Sequence, residues 1–149
     1  MVGNKNTNIM GSNQPLSPTS TGASQKKVLV VDDNEIVVRT ITLKLQGAGY
    51  QVIPAKDGSE AVAHVRKERP DLVLLDISFP AELSGLWDGF QIMEWFNRLG
   101  TGKIPVIVIT GSKEPEIKER ATAAGAVAVF QKPLEADQVL EAVRAILGS

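Results

Sequence analysis

The stretch at residues 71–76, DLVLLD, holds four consecutive apolar residues, Leu72 to Leu75, and closes on an acid, Asp76. A strand with one wet face would alternate apolar and polar side chains. An unbroken apolar run requires burial on both faces, as in a parallel sheet covered by helices on each side. Two further runs read the same way: KKVLVV at 26–31, followed by Asp32 and Asp33, and IPVIVI at 104–109, followed by Thr110. Tyr50 to Ala55 and Ala126 to Phe130 are weaker strand candidates.

Helical patterns fill the intervals. Glu35 to Gln46 places Val37, Ile41 and Leu45 on one face and is stopped by Gly47 and Gly49. Asp57-Gly58-Ser59 opens a helix that runs through Lys67 and stops before Pro70. Gly89 to Leu99 is helical, with Trp95 and Phe96 read as core or part-core residues. Pro115 suits the first turn of a helix ending near Gly125. Glu135 to Leu147 turns Val139, Val143 and Ile146 inward. The result is five βα units in sequence, an α/β chain with a doubly wound parallel sheet.

The 149 residues suit one domain of this kind. Hydrophobic residues make up 43% and charged residues 22%, a globular composition. The formal charge of −1 gives no attraction to nucleic acid or to an anionic membrane. The absence of cysteine excludes disulfides, thiolate metal sites and thiol nucleophiles. No apolar run approaches the ~18 residues of a membrane span, and the N-terminus lacks a secretion pattern, so the cytoplasm is the expected compartment. Residues 1–25 are rich in Asn, Ser, Thr, Gly and Pro, with Lys5 as the one charge, and read as a disordered tail before a domain at 26–149.

In a parallel α/β sheet, sites form at the carboxyl ends of the strands. Those ends carry Asp32 and Asp33, Asp76, Thr110 and, after the fifth strand, Lys132. Two like charges 4 Å apart repel by about 4 kcal/mol at an effective dielectric of 20. A cluster of three acids therefore needs a counter-charge, and Mg²⁺ suits carboxylates combined with water and phosphate. Asp76, ending the central strand, is the candidate nucleophile; Asp32 and Asp33 are the candidate metal ligands. Lys132 and Thr110 would meet phosphoryl oxygens as a point charge and a hydroxyl donor. Each residue also has an ordinary reading: Asp33 as a helix N-cap, Thr110 as a strand former, Lys132 as a surface lysine.

Taken together, VLVVDDN, VLLD, VITG and QKPL resemble the receiver domain of two-component response regulators, the fold of the chemotaxis protein CheY. The likeness runs from about Lys26 to Leu147, and Gly58 and Gly125-Ala126 also fit it. The resemblance implies a flavodoxin-like (βα)5 sheet of strand order 2-1-3-4-5. It implies Mg²⁺-dependent transfer of a phosphoryl group to Asp76 from a sensor histidine kinase or phosphotransfer protein, and slow self-dephosphorylation without a separate substrate. It places the Ser78 backbone carbonyl in the metal shell beside Asp32, Asp33 and Asp76, and a cis peptide at Lys132-Pro133. The 17 residues after Lys132 suffice for one last helix, so the reading is a stand-alone receiver, monomer or weak homodimer, that signals by protein contact to a downstream target, or a receiver cut from a larger protein.

Two departures stand out. The family's Asp-Gly lies about seven residues past the phosphoacceptor, whereas Asp88-Gly89 begins twelve past Asp76. The lengthened loop from Ser78 to Asp88 carries Leu83, Leu86 and Trp87, a contact surface or a tolerated insertion. At the switch-aromatic position the chain has Val129, and Phe130 follows it, turned to the other side of the strand. His64 reads as a solvated helix residue. Two rival functions were weighed. A phosphorylation-independent pseudo-receiver would not need the full acid set. An aspartyl phosphatase of the haloacid dehalogenase pattern would need an acid where Ser78 stands.

Overall fold

The apolar segments at 28–31, 72–75 and 106–109 pair at the centre of one sheet because neither of their faces can be left to water, and two less buried strands flank them. In the computed structural model, which describes residues 25–78, 89–98 and 104–148, the elements alternate strictly. They are β1 (Lys27–Val31), α1 (Glu35–Gly47), β2 (Gln51–Ala55), α2 (Gly58–Glu68), β3 (Leu72–Asp76), α3 (Gly89–Arg98), β4 (Val106–Thr110), α4 (Pro115–Ala123), β5 (Ala128–Gln131) and α5 (Ala136–Leu147). All pairings are parallel, in the order β2-β1-β3-β4-β5. This is the expected flavodoxin-like order.

Alternation along the strands separates two cores. Val28, Val30, Leu72, Leu74, Ile107 and Ile109 face Ile41 and Leu45 of α1 and Val139 and Val143 of α5. Leu29, Val31, Val73, Leu75 and Val108 face Ala61 and Val65 of α2, Ile92 and Met93 of α3, and Ala121 of α4. Trp95 packs against this second core with Arg66 over its ring at 5.7 Å, and Arg120 of α4 lies 3.9 Å from the Phe90 ring. These cation–π contacts tie α3 to the helix on each side of it.

The element ends follow local chemistry. Asn34, not Asp33, caps α1: its Oδ1 accepts the N–H groups of Ile36 and Val37 at 2.9 and 3.2 Å. Asp57 Oδ1 accepts from Glu60 N–H at 2.8 Å and starts α2. Pro115 opens α4 as expected. β5 begins later than the sequence pattern suggested, because Ala126 N–H closes the end of α4 onto the Ala121 carbonyl at 3.0 Å. That turn needs Gly125 at φ 108°, a conformation that side chains disfavour. His64 is half-buried on α2 rather than fully solvated. The tail at 1–24, the loop residues Leu83, Leu86 and Trp87, and the Phe96 side chain lie outside the described residues. Among the described residues, no helix is long and apolar enough to cross a membrane.

Leu74 is fully buried in β3, whereas Leu43 on α1 is 66% exposed. Leu74→Ala is expected to cost about 2–5 kcal/mol in urea unfolding. Leu43→Ala is expected to stay within ~0.5 kcal/mol of wild type.

Candidate functional site

The parallel register brings the strand ends to one edge. Asp32 directly follows β1, Asp76 ends β3, Thr110 ends β4, and Lys132 directly follows β5. Asp32, Asp76 and Thr110 are buried, at 1%, 1% and 5% exposure, whereas Asp33 is exposed. Carboxylate oxygens of Asp32, Asp33 and Asp76 lie within 4.8 Å of one another, the one such group of three possible metal ligands among the described residues.

Lys132 bridges two of the acids. Its Nζ donates to Asp76 Oδ2 at 2.9 Å and lies 3.1 Å from Asp32 Oδ2. The first contact is a hydrogen bond. The second is an ion pair off the hydrogen-bonding axis, which leaves Asp32 Oδ2 buried without a hydrogen-bond partner among the described residues. The other oxygens are held by backbone: Asn34 N–H donates to Asp32 Oδ1 at 2.9 Å, and Ser78 N–H to Asp76 Oδ1 at 2.8 Å. Thr110 Oγ1 accepts from Ser112 N–H at 3.0 Å, which leaves the hydroxyl proton free to be donated elsewhere.

These surroundings shift protonation. Burial, reinforced by the Asp76 charge, pushes Asp32 from 3.8 up to about 6, against the Asn34 N–H and Lys132, which lower it. For the Lys132 ammonium burial works downward, but the hydrogen bond and charge of Asp76, then the close Asp32 carboxylate, outweigh it and hold its pKa above the ordinary value. With all groups ionised, three carboxylates and one ammonium leave a formal charge of −2. A hard divalent cation fits that donor set: all donors are oxygens, the charge matches, and Asp32 Oδ2 has an ion pair but no hydrogen bond.

Residues 28–144 match the family model for the response regulator receiver domain. The chain belongs to that family. The polar-differentiation response regulator DivK of Brucella anthropi is 32% identical over 124 residues, covering 83% of this chain and 97% of DivK. Protein PilH of Pseudomonas aeruginosa is 34% identical over 123 residues, covering 82% and 98%. Among solved structures, the chemotaxis response regulator CheY4 of Vibrio cholerae superposes with a TM-score of 0.74 at 30% identity, covering 83% of this chain and all of that one (100%). A CheY-like receiver from Methanospirillum hungatei gives 0.72 at 29% identity, covering 82% and 93%. The receiver is thus a phosphoryl-accepting signalling module of two-component systems rather than a classical enzyme.

The carboxyl edge of the sheet brings together Asp32, Asp33, Asp76, Thr110 and Lys132. Ser78 stands beside Asp76 through its N–H, and its Oγ accepts from Gly111 N–H at 3.1 Å. The Lys132-Pro133 peptide is cis. Val129 packs against the core beneath α2, α3 and α4 and Phe130 against the opposite core, as strand alternation requires. Sequence reasoning missed three contributors. Asn34 was legible as a capping residue directly before the helix. The parts played by Ser112 and Gln131, whose Nε2 donates to the Ser112 carbonyl at 2.9 Å, depend on side chains crossing between loops and leave no mark in the sequence.

The raised pKa of Asp32 gives a pH signature in metal-free buffer. The folded state holds this proton more tightly than the unfolded chain. The group's stabilising contribution is therefore full below about 3.8 and lost as pH rises through about 6. Asp32→Asn is expected to stabilise the metal-free protein most near pH 8. That advantage over wild type should shrink by roughly 1 kcal/mol between pH 8 and 5 in parallel urea titrations. An advantage that is constant across this range contradicts the protonation assigned to Asp32.

Proposed function

We propose that Asp76 is the phosphoacceptor of this receiver, supplied by the phosphohistidine of a sensor histidine kinase or a phosphotransfer protein. The observation that carries the reading is the buried Asp76 carboxylate, fixed at Oδ1 by Ser78 N–H and at Oδ2 by Lys132. A carboxylate oxygen of Asp76 forms the new O–P bond as the P–N bond of the phosphohistidine breaks. The imidazole leaves with the electron pair and is neutralised by a proton. Phosphoryl transfer asks mainly for positioning and charge neutralisation, which these residues provide.

Asp32, Asp33, Asp76 and the Ser78 carbonyl are the residues that would hold Mg²⁺. The ion supplies neutralisation of the negative charge shared between phosphoryl oxygens and carboxylates. Asp32 contributes Oδ2, which has an ion pair to Lys132 and no hydrogen bond, and Asp33 contributes an exposed carboxylate. Lys132 passes from Asp76 Oδ2 to a phosphoryl oxygen, so its charge remains compensated throughout. The Thr110 hydroxyl, with its proton free, donates to a second phosphoryl oxygen. Hydrolysis of the acyl phosphate by water returns the resting state, with no separate substrate.

A phosphorylation-independent interaction module would have no use for two buried acids bridged by a lysine, and an acid-for-Ser78 phosphatase is excluded by the residue itself. The occupied state would be read by a downstream protein through a changed surface, and the reaction's setting fits the cytoplasm.

With Mg²⁺ and acetyl phosphate, the wild-type protein should gain one acid-labile phosphate by intact mass. Asp76→Asn should gain none while keeping its fold by circular dichroism, and full labelling of that variant would refute the assignment. Lys132→Ala should still label, at least tenfold more slowly, and fail to give the wild-type spectral response to beryllofluoride.

A further inference from the structure

Two residues past the end of β4, the Ser112 peptide is gripped on both sides. Its N–H donates to Thr110 Oγ1 at 3.0 Å, and its carbonyl accepts from Gln131 Nε2 at 2.9 Å. Gln131 is the last residue of β5 and lies in register with Thr110, the last of β4; the next hydrogen bond runs from Lys132 N–H to the Thr110 carbonyl at 2.8 Å. The Ser112 peptide thus hangs between the residue carrying the phosphoryl-binding hydroxyl and the residue adjacent to the phosphoryl-binding lysine.

A threonine hydroxyl has one proton and rotates about its C–O bond, so where it donates depends on what occupies its lone pairs. Here Ser112 N–H takes the acceptor side, and the proton is directed away from the loop. The Ser112 N–H can impose that direction only if the Ser112 backbone, held at its carbonyl by Gln131, stays in place. Val129, which shares a strand face with Gln131 by alternation, is a small side chain packed down into the core beneath α4. Within the loop Ser112 Oγ accepts from Glu114 N–H at 3.1 Å, and from outside it Ser78 Oγ holds Gly111 N–H while the Gln131 amide holds the Ser112 carbonyl. Gln131 itself is exposed and contributes nothing to either core.

We propose that Gln131 is a positioning residue for phosphoryl binding, acting through the Ser112 peptide to aim the Thr110 hydroxyl. The inference rests on Asp76 as phosphoacceptor with Thr110 as a donor to the phosphoryl group. It assigns the residue before the lysine a role that its exposure conceals, and it makes the lifetime and affinity of the phosphoryl state depend on a neutral amide outside the acid cluster.

The test uses the full chain, Mg²⁺ and beryllofluoride, with calorimetric affinities for Mg²⁺ alone and for beryllofluoride in its presence. Gln131→Met keeps the length and removes the donor. It is expected to lower beryllofluoride affinity about tenfold and to shift the Ser112 and Gly111 amide signals in nitrogen-edited NMR spectra, with Mg²⁺ affinity within twofold of wild type and melting within a few degrees. In a Thr110→Ala background the same substitution should lower beryllofluoride affinity by less than twofold, because the hydroxyl it serves is gone. An equal loss in both backgrounds, or no loss with Thr110 present, overturns the proposal. So does a matching drop in Mg²⁺ affinity and melting temperature, which would mark a structural role. If wild type binds no beryllofluoride, the phosphoacceptor reading fails first and this inference falls with it. If wild type binds and Gln131→Met binds equally, this inference alone fails.

Discussion

The ammonium of Lys132, 2.9 Å from Asp76 and 3.1 Å from Asp32, is the contact on which the rest of the site depends. Two carboxylates buried at 1% exposure each cannot remain ionised side by side without a positive partner. One lysine shared between them settles only part of the imbalance. Asp32 keeps an oxygen without a hydrogen bond and a pKa pushed up to about 6, and the cluster retains excess negative charge. That residual negative charge is what suits the donor set to a cation. A fully satisfied cluster would have no reason to take up a metal ion, and an apolar edge could not hold a phosphoryl group.

The sheet makes this arrangement affordable in stability. The three inner strands β1, β3 and β4 are, apart from Lys27, almost wholly inaccessible to solvent, and each of them feeds both cores. Because every strand is parallel, all carboxyl ends emerge at the same edge, and residues 44 or 56 positions apart, Asp32, Asp76 and Lys132, meet without any local pattern joining them. Proteins commonly place strained or unsatisfied groups at functional sites and compensate for them elsewhere in the fold. In this receiver the compensation comes from aliphatic burial along the same strands that end in the acids.

How much of this was legible in the sequence follows from which interactions are periodic. DLVLLD and VLVV declared their two-sided burial through apolar runs, and the acids were placed because a parallel sheet has one carboxyl edge. Strand limits were less legible. Ala126 looked like β5 from its composition, but its N–H is taken by the Ala121 carbonyl in the turn that ends α4. The role of Asp33 was open between cap and ligand until Asn34 was found to occupy the cap, which leaves the Asp33 carboxylate near Asp32 and Asp76. The grip on Ser112 had no sequence signal at all, since it depends on where an amide at the end of one strand happens to reach.

The division between Val129 and Phe130 bears on how a phosphoryl signal leaves the site. β5 is the edge strand of the order, and its side chains point alternately into the two cores. An aromatic ring at 129 would lie on the side of α4, beside the loop that follows Thr110. Phe130 lies instead against the core shared by α1 and α5, so a displacement of Thr110 meets a small aliphatic residue on one side and reaches the ring only through the strand itself. A strand transmits motion along its backbone through hydrogen bonds, and here the bonds nearest the site are Lys132 N–H to the Thr110 carbonyl and the Gln131 amide to Ser112. The contacts that join the end of β5 to the site are therefore polar ones. Such contacts break and re-form with loop position, whereas a buried ring must find a new cavity.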